Sequence, residues 1–339
     1  MTESSIGPES SAAVKALEAA GAVVKADASG VPVDIDLRKA TIDSALLAHV
    51  VSLTSLRAIN AADTTFNDGS LEQIKPLASQ LSSLDLRGCP ISDKSGPILA
   101  SMTSLRALRL SGKNGKTSIG DDGLALLAGC KQLKVLAVDD LWVSGTTLEK
   151  LTGLTELEEL YLARTPVDDA AMKLVAGYPK LRKLRLAGTQ VGDDGLTALA
   201  AINTLEELDL SEISVISNAG LSHLAKLTSL KKLNLWRVQV TDPGILQLAP
   251  LAKLEWLNLD NTQMSDAGIS VLKDMPSLKF LHLGSTQITA AAVPGLVHLT
   301  SLKDLKITRT ALGSNDAAVA ELKKALPKTA IQTEYVEGQ

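Results

Sequence analysis

One unit of about 24 residues recurs along almost the whole chain, and this repetition limits what the chain can fold into more than any other feature. Aligned on their first leucine, the segments LEELYLARTPVDDAAMKLVAGYPK from Leu157, LRKLRLAGTQVGDDGLTALAAINT from Leu181, LKKLNLWRVQVTDPGILQLAPLAK from Leu230 and LEWLNLDNTQMSDAGISVLKDMPS from Leu254 share the frame LxxLxLxxTxVxDxGLxxLxxLxx. Further copies start near Pro32, Leu56, Leu81, Leu105, Leu133, Leu205, Leu278 and Leu302, about twelve in all, three of them slightly long.

The frame carries two periodicities. LxLxx alternates with period two, as a short strand with one buried face requires. The later GLxxLxxL spaces its apolar residues by three, as one face of a short helix requires. Between them stands an aspartate, at Asp68, Asp93, Asp121, Asp169, Asp193, Asp242 and Asp266, placed to accept hydrogen bonds from the free N–H groups of the helical turn that follows it, as an N-cap does. Pro243 is expected at the first helical position, where its missing N–H costs nothing. A strand–turn–helix unit cannot bury its apolar face alone, so stacking is required. Successive strands then pair in parallel about 4.8 Å apart, and the helices line the opposite side.

With these residues in view, the chain resembles the leucine-rich repeat family, in the ribonuclease-inhibitor-like superfamily, and specifically bacterial 24-residue repeats with a TDxGL signature. The resemblance covers roughly Pro32 to Lys328. It implies an α/β right-handed solenoid, or horseshoe, with a parallel concave β-sheet and convex helices, and a scaffold for holding partners without catalysis of its own. Residues 1–31 read as an N-terminal cap, with an amphipathic helix from Ser10 to Ala20 that presents Val14 and Leu17, followed by Val23-Val24 and a strand at Val33 to Leu37. Residues 32–328 form the repeat array. Toward the end of the array Ala317 to Leu326 is expected as a longer helix stopped by Pro327; residues 329–339 form a C-terminal strand and tail, with Ala330 to Tyr335 as a final strand and the chain from Val336 onward as a frayed tail.

Composition matters where it bears on partners. Hydrophobic residues make up 45% of the chain but aromatics only 2%, so Leu, Val, Ile and Ala must fill the interior. The net charge of −4 offers no electrostatic footprint for nucleic acid and no polybasic surface for a membrane. No run of 18 apolar residues and no export signal is visible, which reads as cytoplasmic if the chain is complete and exported if a leader was removed. Cys89 and Cys130 are too few for a disulfide scaffold and read as small buried hydrophobes.

Candidates for chemistry are few. GKNGKT ends in Gly115-Lys116-Thr117, as a phosphate-binding loop would, but Leu110 stands where its first glycine belongs and only a short repeat helix follows. Gly112 to Thr117 is instead an insertion that projects as a loop. His49, His223 and His298 fall on outward helix positions; His282 points from a strand to the concave face and reads as a solvated surface histidine. No metal, cofactor or catalytic constellation is expected, and the aspartates, one per unit, are too spread for a calcium site.

The concave face says more. Its second and third strand positions read Glu158-Glu159, Arg182-Lys183, Glu206-Glu207, Lys231-Lys232, then Glu255, with strictly alternating sign. Such a column supports stacking and register by itself. The third position then continues as Trp256, Phe280 and Asp304, with Trp236 just after the preceding strand and Asn258 and His282 at the central strand position. Aromatics are scarce in this chain and not needed for its core, so their clustering at outward positions suggests an interaction hot spot; packing against Lys and Arg stems is the alternative. The resulting expectation is a non-enzymatic module binding a protein or peptide on a concave surface from Tyr161 to Phe280, through Trp236, Trp256 and Phe280, with Arg237, Asn258, Asp260 and His282 as polar contacts and Tyr161 at its edge. Two further readings stay open: a target-recognition subunit whose F-box-like function comes from another chain, and a weaker recognition edge formed by Lys113 to Thr117 with Trp142. Partner identity and oligomeric state are left open.

Overall fold

The computed structural model describes residues 8–335. The chain forms two compact units, residues 1–166 with 178–180 and residues 167–177 with 181–339.

In the first unit, helix α1 (Pro8–Ala19) precedes seven strands: β1 (Val23–Ala26), β2 (Pro32–Asp36), β3 (Ala58–Asn60), β4 (Ser83–Asp85), β5 (Ala107–Ser111), β6 (Val135–Asp139) and β7 (Glu159–Tyr161). The pairs from β2 to β7 are parallel and follow chain order, with Ile35, Ile59, Leu84, Leu108, Leu136 and Leu160 side by side in one buried row. Strand β1 pairs antiparallel with β2, Val24 opposite Ile35, and so covers an edge that would otherwise expose unpaired backbone. The helix before it starts earlier than expected and buries Ala13 and Leu17, which are four apart; Val14 is only half-buried.

The second unit repeats the scheme with β8 (Lys183–Arg185), β9 (Glu207–Asp209), β10 (Lys232–Asn234), β11 (Trp256–Asn258), β12 (Phe280–His282), β13 (Asp304–Lys306) and β14 (Ala330–Gln332), all paired in parallel. Its central row runs Leu184, Leu208, Leu233, Leu257, Leu281, Leu305 and Ile331. The longer helix covers Asp316–Ala325, and the last strand ends at Gln332, short of the expected Tyr335. Tyr335 is instead exposed, with the Arg309 guanidinium 4.0 Å from its ring centre. The expectation for Val336 onward lies outside the described residues.

Several repeat helices are wholly or partly 3₁₀, including Asp266–Asp274 over nine residues. The spacing of three in GLxxLxxL explains this, because three residues per turn puts those side chains on one line.

The aspartate row corrects the sequence reading. Asp68, Asp93, Asp121, Asp169, Asp193, Asp242 and Asp266 are the first helical residues, and the cap position belongs to the residue before each of them. Pro243 accordingly falls second. Each carboxylate points away from its own helix and accepts hydrogen bonds from the start of the next repeat's helix. Asp68 accepts from Ser92 N and Oγ, Asp93 from Gly120 N and Gly123 N, Asp193 from Ser217 N and Oγ, Asp242 from Ser265 N and Oγ, and Asp266 from Thr289 N and Oγ1. Every such helix leaves free N–H groups at its start, and the preceding repeat supplies the anion that satisfies them. Burial alone would raise the Asp68 carboxyl; the hydrogen bonds from Ser92 and Ser95 outweigh it and hold the group below its ordinary range. Asn218 takes the role once, accepting from Thr241 N and donating through Nδ2 to Thr241 Oγ1.

This staple also explains the glycine of DxGL. A Cβ on Gly220 would lie 2.1 Å from Asp193 Oδ1, so the glycine makes room for the carboxylate arriving from the preceding repeat.

Two further positions of the frame close the turn after each strand. Thr64, Thr165, Thr189, Thr262, Thr286 and Thr310 are buried, and each hydroxyl donates to the carbonyl three residues back. The residue before this threonine has positive φ in repeat after repeat: Asp63, Arg164, Gly188, Asn261, Ser285 and Arg309, and likewise Gly88, Asp140, Glu212 and Arg237 in repeats without the threonine. Only two of these are glycine. The left-handed backbone turns the N–H toward the neighbouring repeat, as in Arg237 N to Asp260 O at 3.0 Å and Ser285 N to Thr308 O at 2.9 Å, so a hydrogen bond between repeats offsets a conformation that costs about 1–2 kcal/mol in a non-glycine residue.

Candidate partner-binding surface

The side chains that do not enter the core stand on the solvent-facing side of the sheet, and the expected charge column is assembled there. Within the first unit Lys134 Nζ lies 2.6 Å from Glu158 Oε1. Within the second, Arg182 and Lys231 both reach Glu206 at 3.0 Å, Lys183 lies 3.4 Å from Glu207, and Lys279 lies 2.6 Å from Glu255. Hydrogen bonds from the Arg182 guanidinium, then from Lys231, hold the Glu206 carboxyl below the usual carboxylate range. Side chains paired in this way largely satisfy one another, which leaves little of the column for a partner.

The column changes character at β11. Parallel register sets Lys232, Trp256, Phe280 and Asp304 side by side. Trp256 and Phe280 stack face to face, ring centres 4.9 Å apart and planes within 5°. Lys232 Nζ sits 4.9 Å from the Trp256 ring centre, and Lys306 Nζ 5.9 Å from that of Phe280. The two rings are thus held between two ammonium groups, each attracted to the negative face of its ring. Both rings are half-buried. This is more packed than the exposed cluster expected from sequence, because the cation stems lie against them.

His282 joins the edge of this stack, its ring centre 6.4 Å from that of Phe280 in a T-shaped contact. It is not a solvated surface histidine: its side chain is only 20% exposed, with Nε2 3.9 Å from Asp260 Oδ1. Burial lowers its pKa below the ordinary value; Asp260 opposes that shift and Lys306 adds to it. Asp260 and His282 converge on the buried Gly284, where a Cβ would lie 2.7 Å from Asp260 Oδ1 and 2.8 Å from His282 Nε2.

The other expected residues are placed differently. Trp236 lies beyond the end of β10, its ring 5.3 Å from the Arg237 guanidinium, and Arg237 also approaches Glu212 at 3.7 Å. Asn258 uses its Oδ1 to accept from Asp260 N at 2.9 Å, so its side chain shapes the turn after the strand. Tyr161 stands on β7, in the first unit, and its hydroxyl donates to Glu159 at 2.8 Å. Sequence reasoning misses Lys306. It sits one alternation along its strand from Asp304 in the Phe280 column, and its long side chain leans back over that ring.

The insertion at Gly112 to Thr117 forms a loop with its tip exposed, anchored by Asn114 Nδ2 donating to Gly88 O and by the buried Thr117 hydroxyl donating to Cys89 O. The helix after it, Asp121–Ala125, has five residues. Trp142 is 73% exposed. Cys89 and Cys130 are buried, and burial pushes both thiols up in pKa. Among the described residues, no group of three or more His, Cys, Asp or Glu could hold a metal ion, and no helix is long and apolar enough to cross a membrane.

Comparison with known proteins agrees with this architecture. Residues 179–200 match the model of a family described as leucine-rich repeat. No curated protein matches in sequence. Among solved structures, an internalin from Listeria monocytogenes superposes with a TM-score of 0.65 at 21% identity, over 97% of this chain and 95% of its own. A second internalin from the same organism, internalin C2, reaches a TM-score of 0.48 at 22% identity over 62% of this chain and 83% of its own. A structure titled as a TDR receptor reaches 0.54 at 16% identity over 88% of this chain and 53% of its own. With one repeat matched by the family model and the coils of each unit built on the same strand–turn–helix frame, the chain has the leucine-rich repeat fold.

Proposed function

We propose that this chain is a non-enzymatic interaction module that binds a protein or peptide partner on the solvent-facing side of its sheet, centred on Trp256 and Phe280. The stacked pair carries the reading. Two of the chain's eight aromatic residues (Phe 2, Tyr 3, Trp 3) stand together on a sheet face where the repeat frame asks for polar residues. Large rings held rigid by flanking cations offer contact area at little entropic cost, and interface hot spots are enriched in such residues. Trp236 and Arg237 on the adjoining turn, with Asn258, Asp260 and His282, supply its polar border. The fold is compatible, since a protein titled as a receptor shares it.

The test is affinity capture from the lysate of the native organism with wild type and a Trp256→Ala/Phe280→Ala variant whose folding is checked by circular dichroism. The expected result is a specific partner retained by wild type and weakened at least tenfold by the variant. Equal capture by a folded variant sinks the assignment.

A further inference from the structure

The charge column breaks a second time, in the first unit, and there it breaks by losing its acid. At the frame position that holds Lys134 and Glu158, the earlier repeats carry Arg57, Ser82 and Arg106. Arg106 stands beside the like-charged Lys134, and Ser82 lies between two arginines, where a carboxylate would face both. Its backbone is stitched to both: Ser82 N donates to Arg57 O and Arg106 N to Ser82 O, each at 2.8 Å. One strand on either side places the two arginine backbones about 10 Å apart, close enough for both long side chains to reach one anion. Among the described residues, neither guanidinium has an ion-pair partner; the next cation in the column, Lys134, does.

These side chains line a cavity of about 550 Å³ with Gln80, Ser104 and Gln132, and no carboxylate lines it. The Gln80 amide nitrogen is shielded from solvent and has no hydrogen-bond partner. Ser82 and Ser104 have spent their hydroxyl protons on the carbonyls of Arg57 and Ser79, so the charged donors left for a guest are the two guanidinium forks, with the Gln132 amide beside them. A guanidinium fork without an anion is a donor array matched to a carboxylate, whose two oxygens can accept from both arginines at once.

We propose that the groove between Arg57 and Arg106 binds a carboxylate presented by an acidic peptide segment, which takes the place that glutamate holds elsewhere in the column. This site lies in the first unit and stands independently of the aromatic surface.

The probe is a fluorescein-labelled peptide carrying glutamate at alternate positions, followed by anisotropy at low ionic strength and compared with its glutamine isostere and with inorganic phosphate as competitor. Wild type is expected to bind the glutamate peptide, at least tenfold more tightly than the glutamine peptide. Arg57→Gln/Arg106→Gln lowers affinity at least tenfold. Ser82→Glu, which restores the missing acid within the chain, does the same while retaining both arginines. Circular dichroism verifies both folds, and if Ser82→Glu fails to fold the double arginine variant decides alone. Unchanged affinity in the folded variants, equal binding of the glutamine peptide, or tighter binding of inorganic phosphate than of the peptide would each overturn the proposal.

Discussion

Replacing Asp121 by alanine tests whether the aspartate row joins repeats together. Asp121 Oδ1 accepts from Ser144 N at 2.8 Å and from the buried Thr147 hydroxyl, and Oδ2 accepts from Ser144 Oγ at 2.7 Å. Alanine removes three bonds to a charged acceptor and leaves the Ser144 amide and Thr147 hydroxyl seeking others. Bonds of this type are worth about 1.5–3 kcal/mol each. Water reaches Ser144, and Thr147 can turn to the Asp121 carbonyl at 3.5 Å, so the net loss is about 3 kcal/mol rather than the full sum. For a cooperative unit of this size that is a fall in Tm of roughly 6–12 °C. Asparagine should behave otherwise. Asn218 already fills this role in another repeat, with its Nδ2 donating to a hydroxyl that has turned to accept. Asp121→Asn is therefore expected to cost about 1 kcal/mol.

Urea unfolding followed by circular dichroism measures both variants, and hydrogen exchange over residues 144–148 reports the staple locally. The pH dependence has a definite sign. Burial alone would raise the Asp121 carboxyl, but the hydrogen bonds from Ser144 and Thr147 outweigh it, so the folded pKa lies below the unfolded one. The advantage of aspartate over asparagine is then complete above the unfolded pKa, near 4, and fades as pH falls through the folded value. Three results would refute the reasoning: an alanine variant within 0.5 kcal/mol of wild type, as ordinary surface substitutions are; an asparagine variant as damaged as the alanine one; or an advantage over asparagine that does not shrink as pH falls below about 4.

Two other substitutions separate tertiary demands from local preference. Gly220→Ala improves helix propensity by about 1 kcal/mol, yet its Cβ would sit 2.1 Å from Asp193 Oδ1; urea unfolding should show a net loss of about 1–3 kcal/mol, and a stabilised variant would contradict the close approach. Ser285→Gly, at φ +52°, removes the left-handed penalty at a half-buried turn and should stabilise by about 0.5–1 kcal/mol; loss of stability in the same assay would mean that its side chain matters more than its backbone.

The sequence by itself determined the repeat, its two periodicities and therefore the stacked strand–turn–helix architecture, because leucine spacing reports directly which faces must be buried. It also carried the alternating charge column, since parallel register sets equal frame positions side by side. It could not show where the aspartates point. Capping the helix that follows and capping the next repeat's helix ask for the same residue, and only the packed structure, with Asp193 directed at Ser217 and Gly220, distinguishes them. The left-handed turn was equally hidden, because residues as different as Asp63, Arg237 and Ser285 occupy it and a hydrogen bond to the neighbouring repeat imposes the conformation. At the candidate surface, Trp256 and Phe280 were legible as neighbours. That Lys232 and Lys306 enclose them, that His282 turns inward beside Asp260, and that Trp236 keeps company with Arg237 follow from side-chain reach and packing between strands, which no frame position records.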